Sequence, residues 1–160
     1  MLLFLKNLLF TLIVPGTVTV YIPLLISQNS TLSSNLSLMI AIFLFCIGGA
    51  LYFWCLWDFA SFGGGTPALI DSPKKLVVRG LYRYSRNPMF AGVLIILVGW
   101  AVMFQIVSLL IHLTCVALSF QIFIIVYEER HLQTVFGDQY KNYCNKVDRW
   151  FPKLPRKLIT

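Results

Sequence analysis

Three stretches of this chain run without a charged side chain: Asn7 to Ser27, Leu36 to Trp57, and the 40 residues from Pro88 to Tyr127. A helix needs about 20 apolar residues to cross roughly 30 Å of hydrocarbon. In that medium backbone polar groups must be satisfied within the segment, which favours helices. The third stretch has room for two helices, with a break near Phe104 to Val107 separating Pro88 to about Met103 from about Val107 to Tyr127. The expected fold is all-α: one polytopic membrane domain over residues 1–160 with four transmembrane helices, at about 7–27, 36–58, 88–103 and 107–130. The loop 61–87 and the C-terminal tail 131–160 are expected to form a short cytoplasmic cap. Composition points the same way, with 12% charged residues and a mean hydropathy of +0.79, where soluble domains carry about a quarter charged residues.

The opening MLLFLKNLLFTLIVPG resembles a signal peptide in its apolarity. Its lysine lies inside the apolar run, however, and no small-x-small cleavage site follows, so a retained first helix is expected. Pro15 and Pro23 predict kinks in it.

Every basic residue falls on one side of these spans. Lys6 precedes the first; Lys74, Lys75, Arg79, Arg83 and Arg86 lie in the 61–87 loop; Arg130, Lys141, Lys146, Arg149, Lys153, Arg156 and Lys157 follow the last. The opposite loops, SQNSTLSSN and the 104–107 turn, have none. The positive-inside rule then predicts a multi-pass protein with both termini cytoplasmic. The net charge of +7 reports topology rather than nucleic-acid binding, and a basic skirt of this kind holds an anionic leaflet.

Cys46, Cys55, Cys115 and Cys144 show no CxxC or Cys/His metal spacing, so buried, inert thiols are expected and no metal site. A pore or transporter would carry ionisable groups inside its spans. Only Asp58 and His112 come close. His112 is expected in a hydrogen-bonded packing role, and Asp58 as an interfacial cap or an arginine partner.

Polar residues gather instead where the third and fourth spans reach the cytoplasmic side. Asn87-Pro88 opens a helix, with proline suited to the first turn and asparagine to capping free N–H groups. Such an end favours an anion. The following span ends in Tyr127-Glu128-Glu129-Arg130-His131, two carboxylates where the macrodipole prefers cations. Two readings stay open. The helix runs on, leaving both glutamates mid-helix and paired with Arg83 or Arg86; or the carboxylates face a bound cation while the arginines and the Asn-Pro start face a bound carboxylate. S-adenosylmethionine, with an ammonium, a carboxylate and a sulfonium, would suit the second.

KKLVVRGLYRYSRNPMFAG followed one helical hairpin later by YEERHLQTVFGDQYKNYCNKVDRWFPKL resembles the isoprenylcysteine carboxyl methyltransferase family, within the membrane methyltransferases that include phospholipid methyltransferases. The likeness covers about Gly63 to Leu154. It implies S-adenosylmethionine held by Lys74, Lys75, Leu76, Val77, Tyr82, Asn87, Pro88, Met89, Phe90 and Glu128, with Glu128 taking its ammonium or a ribose hydroxyl. Glu129 would orient or deprotonate the acceptor. The pattern departs at Asn87, where one branch has histidine, and at Phe90, where tyrosine is usual. Ile124 stands where the prenylcysteine branch has a substrate-clamping arginine, leaving Arg86 or Arg130 to hold a substrate. Tyr140 and Tyr143 would pack over the adenosine or join an interfacial belt with Trp150 and Phe151. The glycine run 63–65 would be either a flexible turn or part of an access route.

The implied activity is methyl transfer to a lipophilic or lipidated acceptor at the membrane, isoprenylcysteine carboxyl O-methylation being one form. Phospholipid-amine N-methylation and a non-catalytic lipid- or partner-binding role are the alternatives. The 74–87 loop and the tail are expected to close over the cofactor as a lid.

Overall fold

The structure, a computed structural model, describes residues 11, 13–63 and 76–150. Lys74, Lys75, Gly64, Gly65 and Phe151 therefore lie outside the described residues. The described residues are helical, without a strand. Helix α1 is Ile13–Ser27, α2 is Asn35–Asp58 with a π-helical extension Phe59–Gly63, α3 is Pro88–Phe104, α4 is Val107–Phe123, and α5 is Glu129–Lys146. A π turn, Ile124–Glu128, joins α4 to α5, and a 3-10 turn, Gly80–Arg83, precedes α3.

Local chemistry sets these boundaries. Ser34 and Ser37 form a reciprocal capping box at the start of α2, the Ser37 amide donating to Ser34 Oγ at 3.1 Å and the Ser34 amide to Ser37 Oγ at 2.9 Å. Helix α3 stops where Gln105 turns left-handed at φ 54°, its amide donating to Ala101 O. Val107 restarts the helix, so the expected break falls in that turn.

The α2–α3 pair is the tightest in the fold because small residues let the backbones approach. A Cβ on Gly48 would sit 2.7 Å from Gly92 O, and one on Gly92 would sit 2.9 Å from Gly48 O. Such contacts replace the hydrophobic drive that lipid does not supply. Around them Tyr52, Val93 and Leu97 make a buried core with Met89, Leu113, Val116 and Phe120 packed against it.

Helix α1 holds the described part of the expected first span, 7–27, of which residues 7–10 and 12 lie outside the described residues. It contains a π turn, Thr17–Tyr21, in which the Ile22 amide donates to Thr17 O. That diverts the usual donor of Val18 O, while Pro23 has no N–H to give Thr19 O. Side chains of other helices fill both gaps: His112 Nε2 meets Val18 O at 3.0 Å and Trp100 Nε1 donates to Thr19 O at 2.8 Å. His112 is thus a packing histidine tied to a broken backbone.

Asp58 departs from expectation. It is buried at the end of α2, and its Oδ2 has neither an arginine nor any other hydrogen-bond partner among the described residues. The oxygen lies against Gly80, where a Cβ would come within 2.2 Å. Gly80 also holds φ +55°, so both space and backbone require glycine there.

Two helical runs, Asn35–Phe62 and Val107–Lys146, are long and apolar enough to cross a bilayer; Ile13–Ser27 and Pro88–Phe104 are shorter apolar helices. Met39, Phe43, Ile111, Leu118 and Ile122 are each more than half exposed. Apolar faces this extensive are stable against lipid rather than water, and we read the chain as a membrane protein. The described part of the expected tail, 131–150, is largely helix: the run from α4 continues through Glu128 and Glu129 to Lys146, bending at Gly137, whose φ is 51°. The two glutamates therefore sit mid-helix and do not meet a C-terminal dipole.

Candidate functional site

The polar residues collect at the end of the bundle where α2 and α4 finish and α3 begins. Segment 82–87 is fastened there by α5 and by the residues that follow it. Tyr143 Oη donates to Tyr82 O at 2.6 Å. The Arg86 amide donates to Asp148 O at 2.9 Å. Ser85 Oγ and Asn87 Nδ2 donate to Arg149 O at 3.1 and 3.2 Å. Trp150 Nε1 reaches across α4 to Gln121 Oε1 at 2.8 Å. Two segments more than 40 residues apart in the chain are thereby held face to face.

Between them is a narrow cleft enclosing about 20 Å³, lined by Arg86, Asn87, Ile124, Glu128, Glu129, Leu132, Tyr140 and Tyr143. The π turn explains how adjacent glutamates both reach it, since the wider turn shifts the helical register by one residue. Their environments differ sharply. Glu129 is gripped by Arg149, with Nε on Oε1 at 2.8 Å and Nη2 on Oε2 at 2.9 Å, and Arg86 Nη1 adds a third bond to Oε1 at 3.0 Å. The same Arg86 nitrogen touches Cys144 Sγ at 2.9 Å.

Glu128, just beyond the apolar span that ends at Tyr127, has no such cation among the described residues. Its Oε2 is buried without a hydrogen-bond partner. Burial pushes its carboxyl up to about 7, and the neighbouring Glu129 charge adds to the rise. Arg86 Nε, on the other wall, is a buried donor without an acceptor. The cleft therefore presents one unmatched acceptor and one unmatched donor. Tyr140 and Tyr143 remain protonated, burial holding both phenols above their ordinary range.

An α-amino acid end, ammonium beside carboxylate, fits that pair of unmatched atoms, and S-adenosylmethionine carries one. The enclosed space is about 20 Å³, room for about one water-sized group against the roughly 300–1,000 Å³ of whole-ligand pockets, so the match is one of charge and hydrogen bonding at a point of contact, not of volume.

Of the residues singled out from the sequence, Arg86, Asn87, Ile124, Glu128, Glu129, Tyr140 and Tyr143 line the cleft. Val77 and Tyr82 are buried beside Cys55, with Met89 packed on them, and Leu76 packs on Tyr140, Tyr143 and Val147. Pro88 is buried in the first turn of α3. Phe90 lies 4.6 Å from the Phe120 ring and 6.3 Å from Phe123, joining α3 to α4 rather than lining the cleft. Asn87 makes no side-chain cap bond; its Nδ2 donates to Arg149 O. Arg130 is exposed and outside the cleft. Besides Arg86, the arginine that reaches Glu129 is Arg149, which in sequence is one basic tail residue among seven. The expected acid–base role of Glu129 meets a further obstacle: both of its oxygens are occupied by arginines.

A family model described as Phospholipid methyltransferase matches residues 36–139. The chain is 37% identical over 82 residues to a probable protein-S-isoprenylcysteine O-methyltransferase of Oryza sativa subsp. indica, covering 51% of this chain and 43% of that protein. It is 37% identical over 78 residues to protein-S-isoprenylcysteine O-methyltransferase B of Arabidopsis thaliana, covering 49% and 40%. The chain thus spans less than half the length of these curated relatives. No solved structure matches it. The family match takes in α2, α3, α4 and the glutamate pair, well over half of the 160 residues, and the chain belongs to the phospholipid methyltransferase family.

Proposed function

We propose that this chain is an S-adenosylmethionine-dependent methyltransferase acting on a lipophilic acceptor at the cytoplasmic face of a membrane, which it crosses four times with both termini inside. The observation that carries the reading is the unmatched pair, Glu128 Oε2 and Arg86 Nε, in residues lining one cleft. An unmatched buried acceptor or donor costs about 1–3 kcal/mol, so a ligand that satisfies both recovers that energy on binding.

The cofactor, when bound, supplies a methyl group made electrophilic by its sulfonium. The protein supplies position and dryness. Glu128 accepts from the ammonium or a ribose hydroxyl, and Arg86 donates from Nε to the carboxylate. Glu129 is a positioning residue: held by Arg149, it fixes the Arg86 guanidinium through Nη1. Ile124 and Leu132 give apolar wall, and the Tyr143 bond to Tyr82 O ties the cleft to Leu76, Val77 and Tyr82. Lys74 and Lys75 complete the proposed cofactor contacts.

A phospholipid amine is the second reading for the acceptor, beside an isoprenylcysteine carboxylate. Ile124, almost fully buried in the cleft wall, favours it: an isoleucine offers a carboxylate no charge partner. Calorimetric titration of the detergent-purified protein with S-adenosylhomocysteine tests the site. Glu128→Gln and Arg86→Gln are each expected to weaken binding about tenfold, the worth of one hydrogen bond to a charged group. Wild-type affinity in both would remove the cleft from the reading. Methyl-labelled donor incubated with membranes, followed by mass spectrometry of the product, then separates O- from N-methylation; cofactor binding without methyl uptake would indicate the non-catalytic role.

A further inference from the structure

The segment RGLYRYSR carries its three arginines to different fates. Arg86 turns inward to Glu129. Arg79 and Arg83 point outward from the two ends of the 3-10 turn, with exposed Tyr84 beside Arg83. Neither outward arginine has a carboxylate partner among the described residues, and nothing in the cleft uses them.

Their surroundings are aromatic. The Arg79 guanidinium carbon lies 3.8 Å from the Phe62 ring centroid, over its face, a contact that holds a flexible cation at a fixed depth. Phe62 continues the end of α2, where Trp54 and Trp57 are exposed, Trp57 by 71%. Trp54 adjoins the arginine turn directly, since a Cβ on Gly80 would lie 3.1 Å from its Nε1. Exposed tryptophans at the end of an apolar helix mark the headgroup depth of a bilayer. At that depth the abundant anion is a lipid phosphate.

We propose that Arg79, stacked on Phe62 in a turn that adjoins Trp54, and Arg83, at the other end of the same turn, form a seat for the headgroup of an anionic phospholipid of the surrounding leaflet. The charges are complementary, and the exposed indoles of Trp54 and Trp57 set this end of α2 at headgroup depth. The seat is separate from the cleft: Arg86 alone of the three arginines lines it. The proposal therefore stands whatever ligand the cleft takes.

Thermal melting of the whole protein in a zwitterionic detergent tests this, with added phosphatidylglycerol, phosphatidylcholine or inorganic phosphate. The expected result is a rise of several degrees with phosphatidylglycerol only, shrinking as salt is raised from low to about 0.5 M as screening sets in. Arg79→Gln/Arg83→Gln should lose at least half of that rise, while Arg79→Lys/Arg83→Lys should keep most of it. An equal rise with phosphatidylcholine, an equal rise with inorganic phosphate, or a rise in wild type insensitive to salt would overturn the proposal. So would a Gln/Gln variant that gains as much as wild type. The wild-type salt series decides the matter if the Gln/Gln variant does not fold.

Discussion

Glu128 and Glu129 are neighbours in sequence with opposite circumstances. Glu129 has three charge-assisted bonds, whereas Glu128 is buried beside it with an unmatched oxygen and a carboxyl raised to about 7. The sign follows from proton binding: the folded protein holds this proton more tightly than the unfolded chain, so stability is full below about 4.5 and falls as pH rises through about 7. The span of that rise corresponds to about 3 kcal/mol. A cationic ligand favours the carboxylate, so binding of S-adenosylhomocysteine near pH 6.5 should release a proton and tighten toward pH 8. Calorimetry in buffers of different ionisation enthalpy measures the release, and Glu128→Gln should abolish it; the same release from that variant would assign the proton elsewhere. Arg149 makes a second residue-scale prediction. Lysine keeps its charge but cannot span both Glu129 oxygens. Arg149→Gln should cost about 1 kcal/mol, discounted because the side chain is nearly a third exposed, with Arg149→Lys between it and wild type. A melting series in detergent checks this order, and an Arg149→Gln protein as stable as wild type would show that the brace bears no weight.

At the scale of elements, three glycines show what the helices need. Gly48 and Gly49 are adjacent on α2, yet Gly48 abuts α3 and a Cβ at Gly49 would meet nothing within 4 Å. Gly48→Ala should force α2 from α3 and lower the melting temperature, whereas Gly49→Ala should raise stability by about 0.5–1 kcal/mol through helix propensity. Equal effects of the two substitutions would mean that the close crossing is not what binds the pair. Gly137 has open space but a φ of 51° and ψ of −121°. Gly137→Ala should cost about 1–3 kcal/mol from backbone strain alone. The break at Gln105-Ile106 was legible in sequence as an interruption between apolar runs. The run of α4 into α5 was left open there, because acidic residues after an apolar span suit either a helix end or a helix leaving the membrane. Packing against segment 82–87 decides for the latter, as it gives Tyr140 and Tyr143 a buried face.

For the whole molecule, the proposed topology places the 28–34 loop outside and the 79–84 turn inside. Single cysteines introduced at Thr31 and Tyr84, both exposed, should label with a membrane-impermeant maleimide from opposite sides of sealed cells, with the unmodified protein as background; labelling of both from one side would break the four-span arrangement. The sequence by itself determined the membrane class, the helical form and the end of the bundle where polar chemistry gathers. Each of these depends on hydrophobicity and charge summed over neighbouring residues, which a linear reading captures. Only the tertiary structure decided that Arg86 turns inward while Arg79 and Arg83 stay out, that Arg149 rather than Arg130 meets Glu129, and that Glu128 is left without a cation among the described residues. Those outcomes depend on pairings such as Arg86 with Glu129, 43 positions apart, which are chosen by where the helices and the 147–150 segment dock and leave no mark in local spacing.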